Sequence, residues 1–415
     1  MSGNHKRVVI TGIGVVSPLG MDAAITWQGL INGRSGIESV TLFDTSSSDT
    51  KIGGEVKGFE PTDFISRKQV RRIDRFAQLS VAAARQAVDD AGILLNGHNK
   101  DDIGTIVGSG IGGLSTLFQQ AVVLQEKGAN KVSPFLAPMM IADMGAAQVS
   151  IALELKGPNY CTTSACSSGS DAIGTAFAMV KHGEVDTMLA GGSESIINPL
   201  GFAAFNALKA ITTRNDDPHA ASRPFDSERD GFIISEGAGI VVLEEMETAL
   251  NRGTRIYAEV LGYGHNSDAY HITAPDPAGE GAAACMRMAL DDGGIGPEQV
   301  DYINAHGTST TLNDISETRA IKSIFPEAGR IPVSSNKSMT GHMWGGAGGV
   351  ETIFSALTIT RGIIPPTINY QKPDPECDLD YVPNAARQVK VKVALSNSFG
   401  FGSTNGTLVL RQISA

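Results

Sequence analysis

The chain has 415 residues, of which 41% are hydrophobic and 19% charged, a balance typical of a globular protein. The formal charge of −11 argues against general binding to nucleic acids or membrane surfaces, and the longest apolar runs are too short to cross a bilayer. The four cysteines lack paired metal-binding spacing, and no leader segment precedes the first predicted strand. Together these features predict a protein of the reducing cytoplasm.

The first predicted element is a buried strand at residues 7–16 that contains two glycines, Gly12 and Gly14. The glycines suggest a dinucleotide-binding motif. The sequence continues as S-P-L-G, however, and does not complete G-x-G-x-x-G at the start of a helix. We therefore reject a dinucleotide site.

A basic segment follows and is predicted to form one helical stretch, with most of its cations on one face and Asp74 as the nearby acid. A solvated helix face is the ordinary explanation of such a charge run. In an acidic protein, the same face could instead dock an acidic partner. The cations are Arg67, Lys68, Arg71, Arg72 and Arg75.

The most informative feature of the chain organisation is an internal sequence repeat. A-V-D-D-A-G-I at residues 87–93 recurs as A-L-D-D-G-G-I at residues 289–295, and each copy is predicted to end a helix. The flanking strands repeat in the same order, at 103–107 and 300–304, with an earlier pair at 7–14 and 255–264. A repeat of this length predicts two similar α/β halves that face each other.

The stretch T-T-S-A-C-S-S-G, residues 162–169, places Cys166 in the first turn of a predicted helix. Unpaired N–H groups and the positive end of the helix dipole would lower the pKa of the thiol and favour the nucleophilic thiolate. Taken alone, Cys166 is more simply explained as a buried, unreactive residue.

Other candidates lie far from Cys166 in the sequence. His306 follows a predicted strand, where α/β proteins commonly present catalytic groups. Lys337 and His342 lie where a strand gives way to a glycine-dense helix start, and we expect His342 to be the counterpart of Cys166 in the second half. The glycine-rich residues 397–406 could direct N–H groups at an oxyanion. The combination favours one catalytic site.

These motifs resemble those of the β-ketoacyl-[acyl-carrier-protein] synthases of the thiolase superfamily, and most closely the elongating type II enzymes of fatty-acid synthesis. The resemblance covers nearly the whole chain and includes R-P-F-D-S-E-R-D-G-F at residues 223–232. It implies an α/β fold, thiolase-like, of duplicated αβαβα layers, with pseudo-twofold halves at residues 1–251 and 252–415. It also implies a homodimer without metal or cofactor, and acyl chains delivered on the phosphopantetheine arm of an acyl carrier protein.

The resemblance also assigns catalytic roles. Cys166 would carry the acyl chain as a thioester. His306 and His342 would hold the enolate formed when a malonyl carrier loses carbon dioxide. Lys337, paired with Glu351, would order that site, although a surface position is the alternative for this glutamate.

Further roles concern the substrate. The N–H groups of Cys166 and Phe401 would form an oxyanion hole, and Phe401 would gate the acyl channel. Thr308 and Thr310 would bind the pantetheine amides, unless they only stabilise their turn. The remaining implied substrate contacts are Ile111, Phe205, Gly402 and Phe135, the last in the pocket of the partner subunit. The implied carrier-docking residues are Arg67, Lys68, Arg71, Arg72 and Lys209.

Three positions depart from the family pattern. Ser403 and Ser235 stand where the family commonly has glycine, and Thr311 stands where it commonly has proline. Ser403 flanks the predicted gate and therefore bears on its motion. The segment 135–136 carries one aromatic residue where relatives often carry two, which favours a wider acyl pocket.

The implied reaction is a decarboxylative condensation of an acyl thioester with malonyl carrier in fatty-acid elongation. One alternative is the ketosynthase subunit of a type II polyketide or other specialised pathway. A second is a non-catalytic chain-length subunit, a class that typically lacks the nucleophile that Cys166 supplies. A coenzyme-A thiolase would need a second active-site cysteine.

Overall fold

The structure is a computed structural model that describes residues 5–95 and 100–413. Its strands are β1 Val8–Val16, β2 Glu38–Ser39, β3 Ile52–Gly53, β4 Ile103–Gly108, β5 Asn159–Tyr160, β6 Thr187–Glu194, β7 Gly237–Glu245, β8 Ala258–Ser267, β9 Tyr302–Asn304, β10 Val333–Ser334, β11 Ile363–Ile364, β12 Arg387–Gln388, β13 Val393–Gly400 and β14 Thr404–Arg411. Its helices are α1 Ala23–Ile31, α2 Arg67–Val70, α3 Arg75–Ala91, α4 Leu114–Lys127, α5 Leu136–Met140, α6 Met144–Leu153, α7 Ser168–Lys181, α8 Pro199–Ala207, α9 Met246–Arg252, α10 Glu280–Gly293, α11 Thr311–Ile324, α12 Lys337–Thr340 and α13 Ala347–Arg361.

The main sheet is symmetric about its centre. Its order is β10-β9-β13-β14-β8-β1-β7-β6-β4-β5, with β8 and β1 paired antiparallel in the middle. Reading outward from that pair, β14 corresponds to β7, β13 to β6, β9 to β4 and β10 to β5. The chain passes from one half to the other between Arg252 and Ala258. The predicted duplicated α/β fold is therefore confirmed.

The helices complete the layers. Helix α3 packs on β1, β7 and β6, and α10 packs on β8 and β14, so that each covers the outer face of one half. Helices α7 and α13 pack on the opposite faces and contact each other between the halves. Within the described ranges, no helix combines the length and apolar character that a membrane span requires.

The glycines of the first strand serve packing. A Cβ atom built on Gly14 would lie 1.9 Å from the carbonyl oxygen of Ala83 in α3. In the second half, a Cβ on Gly264 would lie 2.2 Å from the carbonyl oxygen of Cys285 in α10. Only glycine permits this close approach of helix to strand. The same contact thus occurs in both halves.

The echoed D-D-x-G segments end their helices as predicted. Gly92 caps α3 with φ 65°, and Gly294 caps α10 with φ 64°. Glycine adopts this left-handed conformation without the steric cost of a Cβ atom.

The prediction of one continuous basic helix is wrong. The segment forms two helices: α2 ends at Val70, and Asp74 caps a new helix, α3, by accepting a hydrogen bond from the N–H of Phe76 at 3.3 Å. Arg75 leaves the basic face and pairs with buried Glu236 at 2.7 Å. The cations that stay exposed are Arg67, Lys68, Arg71 and Arg72.

Candidate active site

Cys166 lies at the contact between the two halves. It occupies a 3₁₀ turn, Ala165–Ser167, that leads directly into α7, so it precedes the helix rather than belonging to its first turn. Ala165 has φ 51°, a left-handed conformation that is rare for a residue with a Cβ atom. The Cys166 side chain is buried.

His342 is not the positional counterpart of Cys166, contrary to the sequence-based expectation. A similar 3₁₀ turn, Trp344–Gly346, leads into α13, and Trp344 has φ 49°. Aligning Trp344 with Ala165 pairs Cys166 with Gly345. His342 lies before the turn in an extended segment, where its N–H donates to the carbonyl oxygen of Ile233 at 2.8 Å.

Two imidazoles face the thiol. His342 Nε2 lies 3.0 Å from Cys166 Sγ, and the N–H of Trp344 donates to His342 Nδ1 at 3.3 Å. Because Nδ1 accepts that bond, the ring proton belongs on Nε2, which donates toward the sulfur. The His306 ring stands nearly perpendicular to that of His342, at a centroid distance of 5.4 Å.

Glu317, which the sequence analysis did not single out, holds His306 in place. The N–H groups of His306 and Gly307 donate to its carboxylate at 2.9 and 2.8 Å, and Asn397 Nδ2 donates at 3.2 Å. Burial raises the pKa of Glu317 to about 7. From the sequence alone, a glutamate in a helix is expected to be exposed to solvent. The one sequence signal for a buried role was that Glu317 lies on the helix that follows the H-G-T motif.

Lys337 and Glu351 form a buried ion pair, so the structure brings these two predicted residues together. Both side chains are no more than 2% exposed. Burial raises the pKa of Glu351, and the charge of Lys337 opposes that shift. Glu351 is therefore a buried residue and not a surface glutamate.

The pKa directions at the site differ from the expectation for the nucleophile. Burial raises the pKa of the Cys166 thiol to about 12, although the N–H of Phe401 and the charge of Lys337 act to lower it. Dehydration thus outweighs the helix-start effect that predicted a lowered value. Burial and the charge of Lys337 lower the pKa of both His306 and His342 well below the usual value. Both imidazoles are neutral donors.

The raised thiol pKa leads to a pH prediction. Because the thiolate is the reactive form, we expect the alkylation rate of Cys166 by iodoacetamide to rise about tenfold per pH unit through neutral and mildly alkaline pH. The rate should show no plateau near about 8.5, where an ordinary cysteine levels off. Peptide mass spectrometry at each pH would measure it. A plateau near neutral pH would contradict the raised pKa.

Phe401 lies on the turn between β13 and β14, with its N–H directed at Cys166 Sγ. Its ring packs against Trp344 at a centroid distance of 5.5 Å and an angle of 88°. The turn approaches so closely that a Cβ on Gly400 would lie 3.0 Å from the Cys166 nitrogen. The two N–H groups predicted to form the oxyanion hole are thus brought together.

Ser403 fastens this turn to a neighbouring segment. Its hydroxyl accepts from the N–H groups of Tyr270 and His271 at 3.3 and 3.4 Å, and donates to the His271 carbonyl oxygen at 3.0 Å. Gly402 N–H also donates to Ile272 O at 2.8 Å. A glycine at position 403 would make none of the hydroxyl bonds.

The other two positions that differ from the family pattern are Thr311 and Ser235. Thr311 is the first residue of α11, a position that suits proline and threonine alike. Ser235 is buried, and its hydroxyl has no hydrogen-bond partner among the described residues. A Cβ on Gly341 would lie 2.0 Å from that hydroxyl, so the serine fills a tight space.

The site opens into a cavity of about 340 Å³, lined by Cys166, His306, His342 and Phe401 among others. This volume is in the range of small-molecule sites. The predicted pantetheine contacts Thr308 and Thr310 also line it, and so does Lys209, which was predicted to dock the carrier protein. The hydroxyls of Thr308 and Thr310 lie 2.9 Å apart.

The remaining predicted contacts, Ile111, Phe205, Gly402 and Phe135, do not line this cavity. Ile111 and Phe205 pack in the apolar cluster that contains Cys166. Phe135 lies outside this cavity and packs under Arg72, with the guanidinium carbon 4.6 Å from the centroid of the phenylalanine ring. Its predicted place in the pocket of a partner subunit stays a prediction.

The ligand atoms of Cys166, His306 and His342 lie within 4.8 Å of one another. A thiolate and two imidazoles are the ligand types that Zn²⁺ prefers. The raised thiol pKa opposes such binding, because the ligand must be deprotonated. The expected absence of a metal stays a prediction.

A duplicated thiolase-like fold, with a buried cysteine facing two neutral imidazoles where the halves meet, defines a condensing acyltransferase. The chain belongs to the β-ketoacyl synthase family: the model of the N-terminal domain matches residues 5–249 and that of the C-terminal domain matches residues 257–371.

Relatives of known identity support this assignment. The chain is 52% identical over 408 residues to 3-oxoacyl-[acyl-carrier-protein] synthase 2 of Synechocystis, with 98% of each chain covered. Among solved structures, it is similar to the ishigamide ketosynthase/chain length factor, with a TM-score of 0.92, 38% identity and coverage of 99% and 100% of the two chains. A type II polyketide ketosynthase in complex with its acyl carrier protein gives a TM-score of 0.91 at 34% identity, with the same coverage.

Proposed function

We propose that this protein condenses an acyl thioester with malonyl-acyl carrier protein, giving 3-oxoacyl-acyl carrier protein and carbon dioxide in fatty-acid elongation. The observation that carries the proposal is the 3.0 Å approach of His342 Nε2 to Cys166 Sγ inside a buried cavity. The identity of 52% to a 3-oxoacyl-[acyl-carrier-protein] synthase 2 favours this pathway.

The first step transfers the acyl group. The Cys166 sulfur attacks the thioester carbonyl, the bond from carbon to the carrier sulfur breaks, and the carrier thiol leaves with the cysteine proton. The carbonyl oxygen becomes negative in this step. In this proposal the N–H groups of Cys166 and Phe401 donate hydrogen bonds to it.

The second step makes the new carbon–carbon bond. Malonyl carrier loses carbon dioxide, and the electron pair of the broken bond forms an enolate. Neutral His306 and His342 donate hydrogen bonds to the enolate oxygen. The enolate carbon attacks the acyl-Cys166 carbonyl, and the cysteine sulfur leaves and regains a proton. In this proposal the chain binds no cofactor, because the carrier supplies the phosphopantetheine arm.

The direct test is product identity. Purified protein incubated with malonyl carrier and acyl carriers of increasing length should give 3-oxoacyl carriers two carbons longer, detected by mass. Intact substrates after incubation with several chain lengths would contradict the function. Repeated extension without reduction of the ketone would instead support the polyketide alternative, to which the ketosynthase neighbours at 34% and 38% identity point.

Two other classes fit the site less well. A non-catalytic chain-length subunit has no use for a buried cysteine that faces two histidines. A thiolase needs a second cysteine at the site, but Cys161, Cys285 and Cys377 do not line the cavity.

We also propose that an acyl carrier protein docks on the basic surface formed by Arg67, Lys68, Arg71 and Arg72, with Lys209 at the cavity mouth. All five side chains are exposed, and the described residues offer them no salt bridge. Unpaired cations on a protein of charge −11 would steer an acidic carrier to this surface.

Charge reversal tests the docking. Lys68→Glu with Arg71→Glu should raise KM for acyl-carrier substrates by about tenfold, with a larger effect at low salt, because salt screens surface charges. Arg72 is left intact, since its guanidinium packs on Phe135. Steady-state kinetics at two salt concentrations would measure the change.

Two controls isolate docking from damage. Lys390→Glu with Lys392→Glu reverses two exposed lysines elsewhere and should leave KM unchanged. Activity with an acyl-pantetheine donor, which needs no protein docking, should also persist in the Lys68 and Arg71 variant. An equal loss with both donors would refute the docking proposal.

We further propose a homodimer located in the cytoplasm. The edge strand β5 is exposed, and α4 and α5 expose apolar side chains that include Leu117, Leu124 and Met140. An open strand edge beside apolar surface suits burial against a second copy. The four free cysteines are consistent with a reducing compartment.

A further inference from the structure

A carboxylate behind the nucleophile has no part in the chemistry above. Asp171 lies in the first turn of α7. Its carboxylate accepts hydrogen bonds from the hydroxyls of Ser164, of Ser167 at 3.1 Å and of Tyr263 at 2.7 Å. No Lys or Arg among the described residues pairs with it. Burial raises the pKa of Asp171, and these hydroxyl contacts act to lower it.

Ser164 and Ser167 flank Cys166 in the sequence and link the Asp171 carboxylate to the turn that carries Phe401. Ser167 Oγ also lies 2.8 Å from the Ser164 carbonyl oxygen, so its single proton is shared between that oxygen and Asp171, and Thr404 Oγ1 donates to the same carbonyl oxygen at 2.9 Å. Thr404 Oγ1 in addition lies 3.4 Å from the carbonyl oxygen of Phe401. One network therefore reaches both segments that supply oxyanion N–H groups.

The turn needs such restraint. Ala165, between Ser164 and Cys166, has φ 51°, a left-handed conformation that is unfavourable for a residue with a Cβ atom. Contacts with the surrounding structure hold this conformation. Ser168 Oγ accepts from the Ser164 N–H at 2.9 Å and donates to the Ala165 carbonyl oxygen at 2.6 Å, while the Asp171 carboxylate and Thr404 of the other half contact Ser164 and Ser167.

We propose that Asp171 is a positioning residue for acyl transfer: through Ser164 and Ser167 it fixes the turn so that the N–H groups of Cys166 and Phe401 converge on the thioester oxygen. This inference rests on the proposed condensation for its kinetic consequence. Its structural consequence, an ordered turn, is independent of any substrate. Tyr263 joins the network to β8, so the second half helps to hold the nucleophile of the first.

The kinetic test separates the two steps. Asp171→Ala should slow acylation of Cys166 by about 10- to 100-fold, because a small displacement of reacting groups costs up to about that factor. Decarboxylation of malonyl carrier, measured in a Cys166→Gln background, should change less than about twofold, because it depends on the histidines. A merely structural residue would lower both steps together.

Two further variants sharpen this result. Asp171→Asn should recover most of the acylation rate, since its amide oxygen can accept from the serines while its amide N–H donates to the Tyr263 hydroxyl. Asp292→Asn is the matched control: Asp292 accepts from the Tyr263 N–H at 3.1 Å but does not contact the turn, and its loss should leave acylation unchanged. If Asp171→Ala does not fold, Ser167→Ala should show a smaller loss confined to acylation.

Amide hydrogen exchange tests the structural consequence without substrate. In Asp171→Ala or Ser167→Ala, the amides of residues 164–167 should exchange about tenfold faster than in the wild type, while the second half of α7 keeps its protection. Unchanged exchange at the turn, or equal losses in acylation and decarboxylation, would overturn the positioning role. If the wild type forms no acyl-enzyme, the proposed function fails, and the exchange measurement alone decides the inference.

Discussion

Cys166→Ala is expected to leave a folded protein that neither accepts an acyl group nor condenses. The cavity has no second thiol, and alanine fits the buried position before α7 without a new polar group. Incubation with a radiolabelled acyl donor should give no labelled protein, while the thermal unfolding temperature stays near that of the wild type.

Cys166→Gln is expected to behave differently. A neutral amide at this position resembles the acylated cysteine, so decarboxylation of malonyl carrier should continue without condensation. Release of labelled carbon dioxide would measure it. Cys161→Ala, which removes a partly exposed thiol outside the cavity, is the control and should keep full activity. Label bound to the Cys166→Ala protein would show that another residue carries the acyl group.

His306→Ala and His342→Ala are each expected to lose malonyl decarboxylation by about 10²-fold or more, the effect of removing one donor to a developing oxyanion. Because the pKa of both histidines is lowered, both side chains are uncharged. Each therefore supplies an N–H donor without placing another positive charge beside Lys337. The measurement is carbon dioxide release in the Cys166→Gln background, where acyl transfer plays no part.

The same pKa direction predicts the pH dependence. Because both pKa values lie well below 6.5, decarboxylation should stay constant through the range in which an ordinary histidine titrates. His265→Ala, which removes an exposed histidine of β8, should have no effect on the rate. Wild-type decarboxylation by either active-site variant would refute the role of that histidine.

The sequence predicted those features that follow from local pattern or from repetition. The echoed helix ends at Gly92 and Gly294 predicted the duplicated halves, since each copy carries the same capping signal. The glycine-rich junctions predicted that Cys166, His306 and His342 would meet. Burial by residues that are distant in the sequence could not be predicted. Glu317 has the pattern of a solvent-exposed helix residue, yet it is buried and accepts a hydrogen bond from the N–H of His306.

Two predictions were wrong, for different physical reasons. The pKa of Cys166 was expected to fall because a helix start stabilises a thiolate, but the dehydration that raises it arises from residues far along the chain. The basic segment was expected to be one helix because its charge period is helical, but Asp74 hydrogen-bonds to the backbone and begins a new helix there. Tertiary burial therefore decided the first outcome, and a local capping hydrogen bond decided the second.

The pairing of Cys166 with Gly345 bears on how such a protein can descend from two equal copies. A fusion of two identical genes would begin with the same residue at both positions and with two potential nucleophiles. A Cβ atom at Gly345 would now lie 2.6 Å from the nitrogen of Gly110 and 2.9 Å from Glu194 Oε2, so no side chain fits there. A single mutation of Gly345 to cysteine would therefore displace the loops around Cys166 before it supplied a second nucleophile.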